Sequence, residues 1–314
     1  MLNLPADDRL REASTVLVAG CGGGFDVFAG LPLFFALRRR QKTVHLANLT
    51  FTRLQRNAGR RPVGELAEIT AASPGDTTYF PEKHLSAWFV ERGEDVPVWA
   101  IERVGPAGVA RAYAALVDEL RPDTIVLVDG GTDSLMRGDE PGLGTPVEDI
   151  ASICGADAVD VPRKLLACIG FGIDAFHQVG HYYVLEAVSD ITRAGGYLGA
   201  TSLTRDLPET QLFLDASKYV LARTNRPSIV LTSIMAAVEG KFGDVQSTAR
   251  TAGSELFINP LMSMYWWLNL DHVARRNLYL DRVRRHESYQ DAEAAIELFR
   301  ATLPEVKPWR GVPL

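Results

Sequence analysis

Short apolar runs that stop at glycine or aspartate, separated by longer helix-patterned segments, constrain this chain more than any other feature. Thr15 to Gly20 reads TVLVAG, and Thr124 to Asp129 reads TIVLVD. Neither run alternates polar with apolar residues, so both faces of each strand must be covered. A parallel sheet with helices on both sides meets that requirement. Further runs of this kind are Lys42 to Leu49, Val96 to Ile101, Lys164 to Gly170, Gly196 to Ser202 and Pro227 to Thr232. Ala107 to Leu120, Phe176 to Ala194, Leu207 to Arg223 and Asp291 to Leu303 carry apolar residues at helical spacing. Gly195-Gly196 offers C-cap chemistry, and Pro208 suits a first turn. The expected fold is α/β, a Rossmann-like three-layer arrangement with a mostly parallel sheet of about seven strands.

No repeat, low-complexity tract or linker divides the sequence, so residues 1–314 read as a single α/β domain. The last part, at about 255–314, is expected to be helical and rich in aromatics. Glu255 to Leu280 (ELFINPLMSMYWWLNLDHVARRNLYL) suits a helix packed on the core or at the interface of a homodimer. A lid or aromatic wall over a ligand is the alternative.

A formal charge of −6 argues against a nucleic-acid partner, whose phosphates demand dense Lys and Arg. The tight basic run Arg38-Arg39-Arg40 falls at an expected helix end, where cations answer the helix dipole. Three cysteines, Cys21, Cys154 and Cys168, have no CxxC spacing and read as reduced thiols, with Cys21 a weakly supported nucleophile. The opening MLNLPADDRLREAS lacks a signal-peptide core, and no apolar stretch approaches the ~18 residues of a membrane span. The expectation is a cytoplasmic protein that engages neither membrane nor nucleic acid.

Three segments follow strands and carry chemistry. The first is Gly20-Cys21-Gly22-Gly23-Gly24-Phe25-Asp26. Its glycines permit positive φ and close approach of N–H groups to an anion, so Gly22, Gly23, Gly24 and Asp26 are candidate substrate or cofactor contacts. It is not the dinucleotide fingerprint, because Phe25 stands where the third glycine belongs and no acid follows about 20 residues on. A tight turn needed only for packing is the plainer reading.

The second segment, Asp129 to Ser134, opens a polar stretch that runs through Arg137-Gly138-Asp139-Glu140-Pro141 to Pro146. Long irregular loops at the carboxyl ends of parallel strands are usual ligand sites. Asp129 and Asp133 suit a divalent cation or sugar hydroxyls, and Gly130, Gly131, Thr132 and Ser134 suit an anion. A helix N-cap with turn aspartates is the alternative.

The third segment, Gly170 to His181, contains Asp174, His177 and His181. On a continuous helix the two histidines, four apart, share a face and with Asp174 make a metal set. His177 acting alone as general acid or base, and simple capping histidines, are the other readings. Thr201 to Thr204 and the Glu239 to Asp244 loop with Lys241 are minor candidates.

The stretches AGCGGGFDVFAGLPL, LVDGGTDSLMRGDEPGLGTPVED, FGIDAFHQVGHYYVLEAVSDITRAGGYLGA and NPLMSMYWWLNLDHVARRNLYL resemble an uncharacterised conserved family, the domain of unknown function number 1152. The resemblance spans nearly the whole chain. It implies a Rossmann-like single domain and no particular activity.

The sequence therefore points to an enzyme, a hydrolase or transferase, for a small anionic or polyhydroxylated substrate, phosphorylated or of nucleotide type. His177, Asp174 and Asp133 form the expected catalytic set, and His177, His181 and Asp174 the expected metal ligands. The expected cofactor is a divalent metal. An NAD-dependent oxidoreductase and a non-catalytic ligand sensor are the alternatives.

Overall fold

Alternate residues of the central strands are buried on opposite faces of one sheet, which explains why those strands read as unbroken apolar runs. In β1 (Thr15–Cys21), Leu17 and Ala19 enter one hydrophobic core while Val16 and Val18 enter the other. β6 (Thr124–Asp129) divides in the same way, Ile125 and Leu127 against Val126 and Val128. The computed structural model describes residues 3–56, 58–245 and 256–312.

The sheet also contains β2 (Thr43–Thr50), β3 (Arg60–Val63), β4 (Leu66–Ile69), β5 (Val98–Glu102), β7 (Arg163–Cys168), β8 (Tyr197–Ser202) and β11 (Met264–Asn269). Two short strands, β9 (Gly243–Asp244) and β10 (Phe257–Ile258), pair separately. The nine-stranded order is β3-β4-β5-β2-β1-β6-β7-β11-β8. From β5 through β2, β1 and β6 to β7 all neighbours are parallel. β4 runs antiparallel to β5, and β11 is antiparallel to both β7 and β8. The architecture is the expected α/β class, with more strands than the expected seven.

Two crossovers position the site. From β1 the chain passes through the helices Asp26–Ala29 and Leu31–Arg39 to β2, with Phe28 and Phe34 packed in one core. From β5 it returns through the helix Pro106–Leu120 to β6, with Val109 and Ala112 packed in the opposite core. Strand order therefore reverses between β1 and β6. Connections that leave neighbouring strands toward opposite faces open a crevice at their carboxyl ends. Cys21 and Asp129 are register partners at that edge.

Two expectations of secondary structure are corrected, and one hairpin is new. Pro227 to Thr232 is not a strand but enters the helix Ile229–Val238, where Ser228 Oγ accepts the Leu231 N–H at 3.1 Å. A short apolar run lacks a distinguishing period, and here the cap and the continuation to Val238 decide for helix. The aromatic segment is not helical at its centre. Met264–Asn269 is a strand, with Tyr265 and Trp267 in one core and Trp266 against the other. Aromatic residues fit a pleated surface covered on both sides. Glu255, which begins that segment, lies outside the described residues. The β3–β4 hairpin was not anticipated because β3 is short and polar. Its Pro62 is tolerated on an edge strand, where one side of the ladder is open.

No helix among the described residues is long and apolar enough to cross a membrane. Leu17 is fully buried at the centre of the sheet. Leu17→Ala is expected to cost about 2–5 kcal/mol of stability in urea unfolding. A loss below about 1 kcal/mol would contradict the close packing of that core.

Candidate functional site

The crevice between β1 and β6 widens into a cavity of about 1030 Å³. Gly22, Gly23, Gly24 and Asp26 line it from the first segment, Asp129, Gly130 and Asp133 from the second, and Asp174 and His177 from the third. Segments about 150 residues apart in sequence meet here because their preceding strands run the same way.

The floor is a cluster of carboxylates. Asp129, Asp133, Asp149 and Asp174 are 2%, 6%, 3% and 5% exposed, and Asp26 is partly exposed beside them. One oxygen from each of Asp129, Asp133 and Asp149 lies within 4.8 Å of the others. Among the described residues no lysine or arginine forms an ion pair with any of the five aspartates, whereas Glu148, Asp139 and Asp190 nearby do have such partners. The adjoining Glu148 is different, since Arg103 pairs with it at 2.7 Å and Tyr289 donates to it at 3.0 Å.

Hydroxyl residues hold three of these carboxylates in place. Thr145 donates to Asp133 Oδ2 through its N–H at 2.7 Å and its hydroxyl at 2.9 Å. Thr132 donates to Asp174 Oδ2 in the same way, at 2.6 and 3.2 Å. Ser134 repeats the pattern on Asp129 Oδ2, its N–H at 3.3 Å and its hydroxyl closer. Each clamp donates twice to the same oxygen, Oδ2. Asp149 Oδ2 is buried with no hydrogen-bond partner. Supports of this kind orient ligand carboxylates in metal sites.

Burial and mutual repulsion act together on these groups. Desolvation pushes the Asp129, Asp149 and Asp174 carboxyls well above the usual aspartate range, and the neighbouring aspartates push them further. Two glycines make the crowding possible. Gly22, at φ +112°, leaves room where a Cβ would lie 2.7 Å from Asp149 Oδ1. A Cβ at Gly131 would come within 2.9 Å of both Asp174 oxygens.

The triple-glycine turn, expected to offer its N–H groups to an anion, uses two of them internally. Gly23 N–H donates to Asp26 at 2.8 Å, and Gly24 N–H to the Leu49 carbonyl at 3.0 Å. From below, Asn48 donates to the Gly24 carbonyl at 2.8 Å and to the buried Glu82 at 2.7 Å.

A family profile described as protein of unknown function (DUF1152) matches residues 17–302. The chain belongs to this family. All five aspartates of the floor lie within the matched span of this DUF1152 protein. No curated protein matches the chain.

The expected His177–His181–Asp174 metal set is not assembled in this DUF1152 chain. His177 ends the 3-10 turn Ile173–His177, Gln178 at φ 65° breaks the backbone, and His181 only then begins the helix His181–Arg193. The i, i+4 geometry requires one continuous helix, and Gly180 with Gln178 interrupts it. The His181 ring packs against Phe171 at 5.3 Å and is not among the cavity-lining residues, whereas His177 and Asp174 are. Gly131, Thr132 and Ser134 back the aspartates instead of lining the cavity themselves. Cys21 is fully buried, and desolvation with the nearby Asp149 pushes its thiol up, which disfavours the nucleophilic thiolate.

Sequence reasoning missed Asp149, Thr145, Arg53 and Arg226, all of which line the cavity. Asp149 sits in the first turn of the helix Pro146–Asp157, where an acid ordinarily reads as a partner of the helix dipole. Its signal was its place directly after a polar loop that already held Asp129 and Asp133.

The raised carboxyls make a signed prediction. A group protonated more readily when folded stabilises below its unfolded pKa, and that contribution is lost as pH rises through the folded value. In chelator-treated protein, Asp149→Asn is expected to be more stable than wild type by about 1–3 kcal/mol at neutral pH. The difference should shrink as pH falls toward the ordinary aspartate value of 3.8. Chemical unfolding of both proteins across this range checks it, and a less stable variant at neutral pH would refute the repulsion.

Proposed function

We propose that this protein is an enzyme for a small anionic or polyhydroxylated substrate, acting by hydrolysis or group transfer with a divalent cation held by Asp129, Asp133 and Asp149. One observation carries the reading: three buried carboxylates converge within 4.8 Å, and among the described residues no lysine or arginine pairs with them. Buried charges of one sign are retained where a counter-ion compensates them. The donor set is oxygen alone, which favours a hard cation such as Mg²⁺, Mn²⁺ or Ca²⁺ over the zinc-like ions that histidines suit. A cation there would polarise a substrate oxygen and make bound water more acidic.

The chain's own residues supply the rest. The clamps from Ser134, Thr145 and Thr132 fix the carboxylates before any ligand arrives. Asp174, pushed toward its protonated form, and His177 at the cavity wall are placed to hold or move a proton. The glycine turn contributes room for the aspartates. The nicotinamide reading has less support, because a pyrophosphate at that turn would face Asp26 and Asp149. The free, buried cysteines support a reducing compartment such as the cytoplasm.

Mn²⁺ titration by calorimetry and thermal shift tests the proposal. Wild type is expected to bind and to melt several degrees higher with the ion. Asp129→Asn and Asp149→Asn should weaken binding at least about tenfold, since each removes one ligand charge. A screen of phosphate esters and sugar derivatives with Mg²⁺ or Mn²⁺ should then show turnover that a chelator abolishes. Indifference of the wild-type melting curve to millimolar Mg²⁺ and Mn²⁺ would overturn the proposal.

A further inference from the structure

The cavity is electrically two-sided. Besides the buried aspartates, the exposed Arg53 and Arg226 line it, and we take these exposed residues as its rim. They are 173 positions apart in sequence, yet one segment ties their loops together. Thr52, beside Arg53, donates its hydroxyl to the Tyr79 carbonyl at 3.1 Å. Asn225, beside Arg226, donates its N–H to the Thr78 carbonyl at 2.9 Å. Both arginines are exposed, and neither guanidinium has an ion pair or hydrogen bond among the described residues. Asp76 also lines the cavity but makes no ion pair with either arginine among the described residues; its carboxylate accepts the Thr78 N–H at 2.8 Å. Just beyond Arg226, Ile229 and Val230 in the first turn of the helix Ile229–Val238 also line the cavity, adding the partial positive charge of a helix N-terminus.

We infer that this rim is an oxyanion subsite, and that the ligand carries a phosphate or pyrophosphate group reaching from Arg53 and Arg226 to the cation on the floor. The inference rests on the cation reading above for its floor contact. The two halves of the cavity exclude simpler ligands on charge alone. A free anion is repelled by the aspartates, and an organic cation by the arginines. A phosphate group that coordinates a divalent cation matches both sides at once, because arginine grips two phosphate oxygens and the metal takes a third. The unpartnered Asp149 Oδ2, on a residue 3% exposed, marks the floor as the place where that complex completes its contacts.

Inorganic pyrophosphate is the probe, measured by calorimetry against wild type, Arg53→Ala/Arg226→Ala and Arg53→Lys/Arg226→Lys, with and without 1 mM Mg²⁺. Wild type is expected to bind about tenfold or more tightly with Mg²⁺ than without. The double alanine variant should lose at least about tenfold in pyrophosphate affinity while keeping wild-type melting temperature and Mg²⁺ affinity. The lysine variant should recover part of the loss, because it restores charge without the guanidinium fork. Pyrophosphate affinity equal in wild type and alanine variant, or absent from wild type, would overturn the subsite and leave the cation reading standing. Arginine-dependent binding that ignores Mg²⁺ would overturn the bridging geometry, while the cation reading stands or falls on the Mn²⁺ titration and melting of the protein alone. Testing inorganic phosphate and a phosphate monoester beside pyrophosphate separates a free-phosphate site from one built for an esterified group.

Discussion

Repulsion among carboxylates that are largely withdrawn from water, with no lysine or arginine paired to them among the described residues, is the constraint around which this structure is arranged. Asp129, Asp133, Asp149 and Asp174 are buried within one wall, and Asp26 adds a further negative charge at its edge. In an interior of low dielectric, like charges a few ångströms apart oppose each other strongly, and none of them has the solvation an exposed carboxylate keeps. The protein tolerates this because serine and threonine clamps satisfy one oxygen of three of them, and because carboxyls pushed upward can retain protons. Such an arrangement trades stability for readiness to bind, as is usual where a site is built before its ligand arrives.

The sheet explains why the cost is localised. The chain leaves β1 toward one face, through Leu31–Arg39, and β6 toward the other, through Pro146–Asp157, so a crevice opens between their carboxyl ends. Both faces of the sheet beneath it are packed with apolar side chains, which gives the acidic wall a rigid base. The glycines around the wall serve geometry: at Gly22 and Gly131 a side chain would occupy the space the aspartate oxygens need. The buried Asn48–Glu82 pair holds the Gly24 carbonyl from below and steadies the turn.

Much of the fold was legible because the central strands are covered on both faces, and a run such as TIVLVD records that burial directly. What was lost was lost for identifiable reasons. Pro227 to Thr232 is apolar in either conformation, and only the Ser228 cap tells helix from strand. MYWWLN lies in a segment of mixed pattern, and its pairing with β7 and β8 is a long-range choice. In the site, Asp129, Asp133, Asp174 and His177 were visible because they sit in loops that follow strong strands. His181 was misread because helical spacing was extended across a backbone break at Gln178. Asp149 was hidden on a helix, and Arg53 and Arg226 in loops without a motif.

By itself the sequence determined that strands buried on both faces would stack in parallel under helices, and that polar, glycine-rich loops would gather at their carboxyl ends. Local composition is enough for this, because apolar runs of that length have few other ways to leave water. Tertiary structure alone decided the sign of the field in the crevice. The glycine turn looked like an anion cradle until the fold placed five aspartates against it and turned two of its amides inward. Charge density at a point depends on residues that are distant in the chain and adjacent in space, and no local pattern encodes that sum.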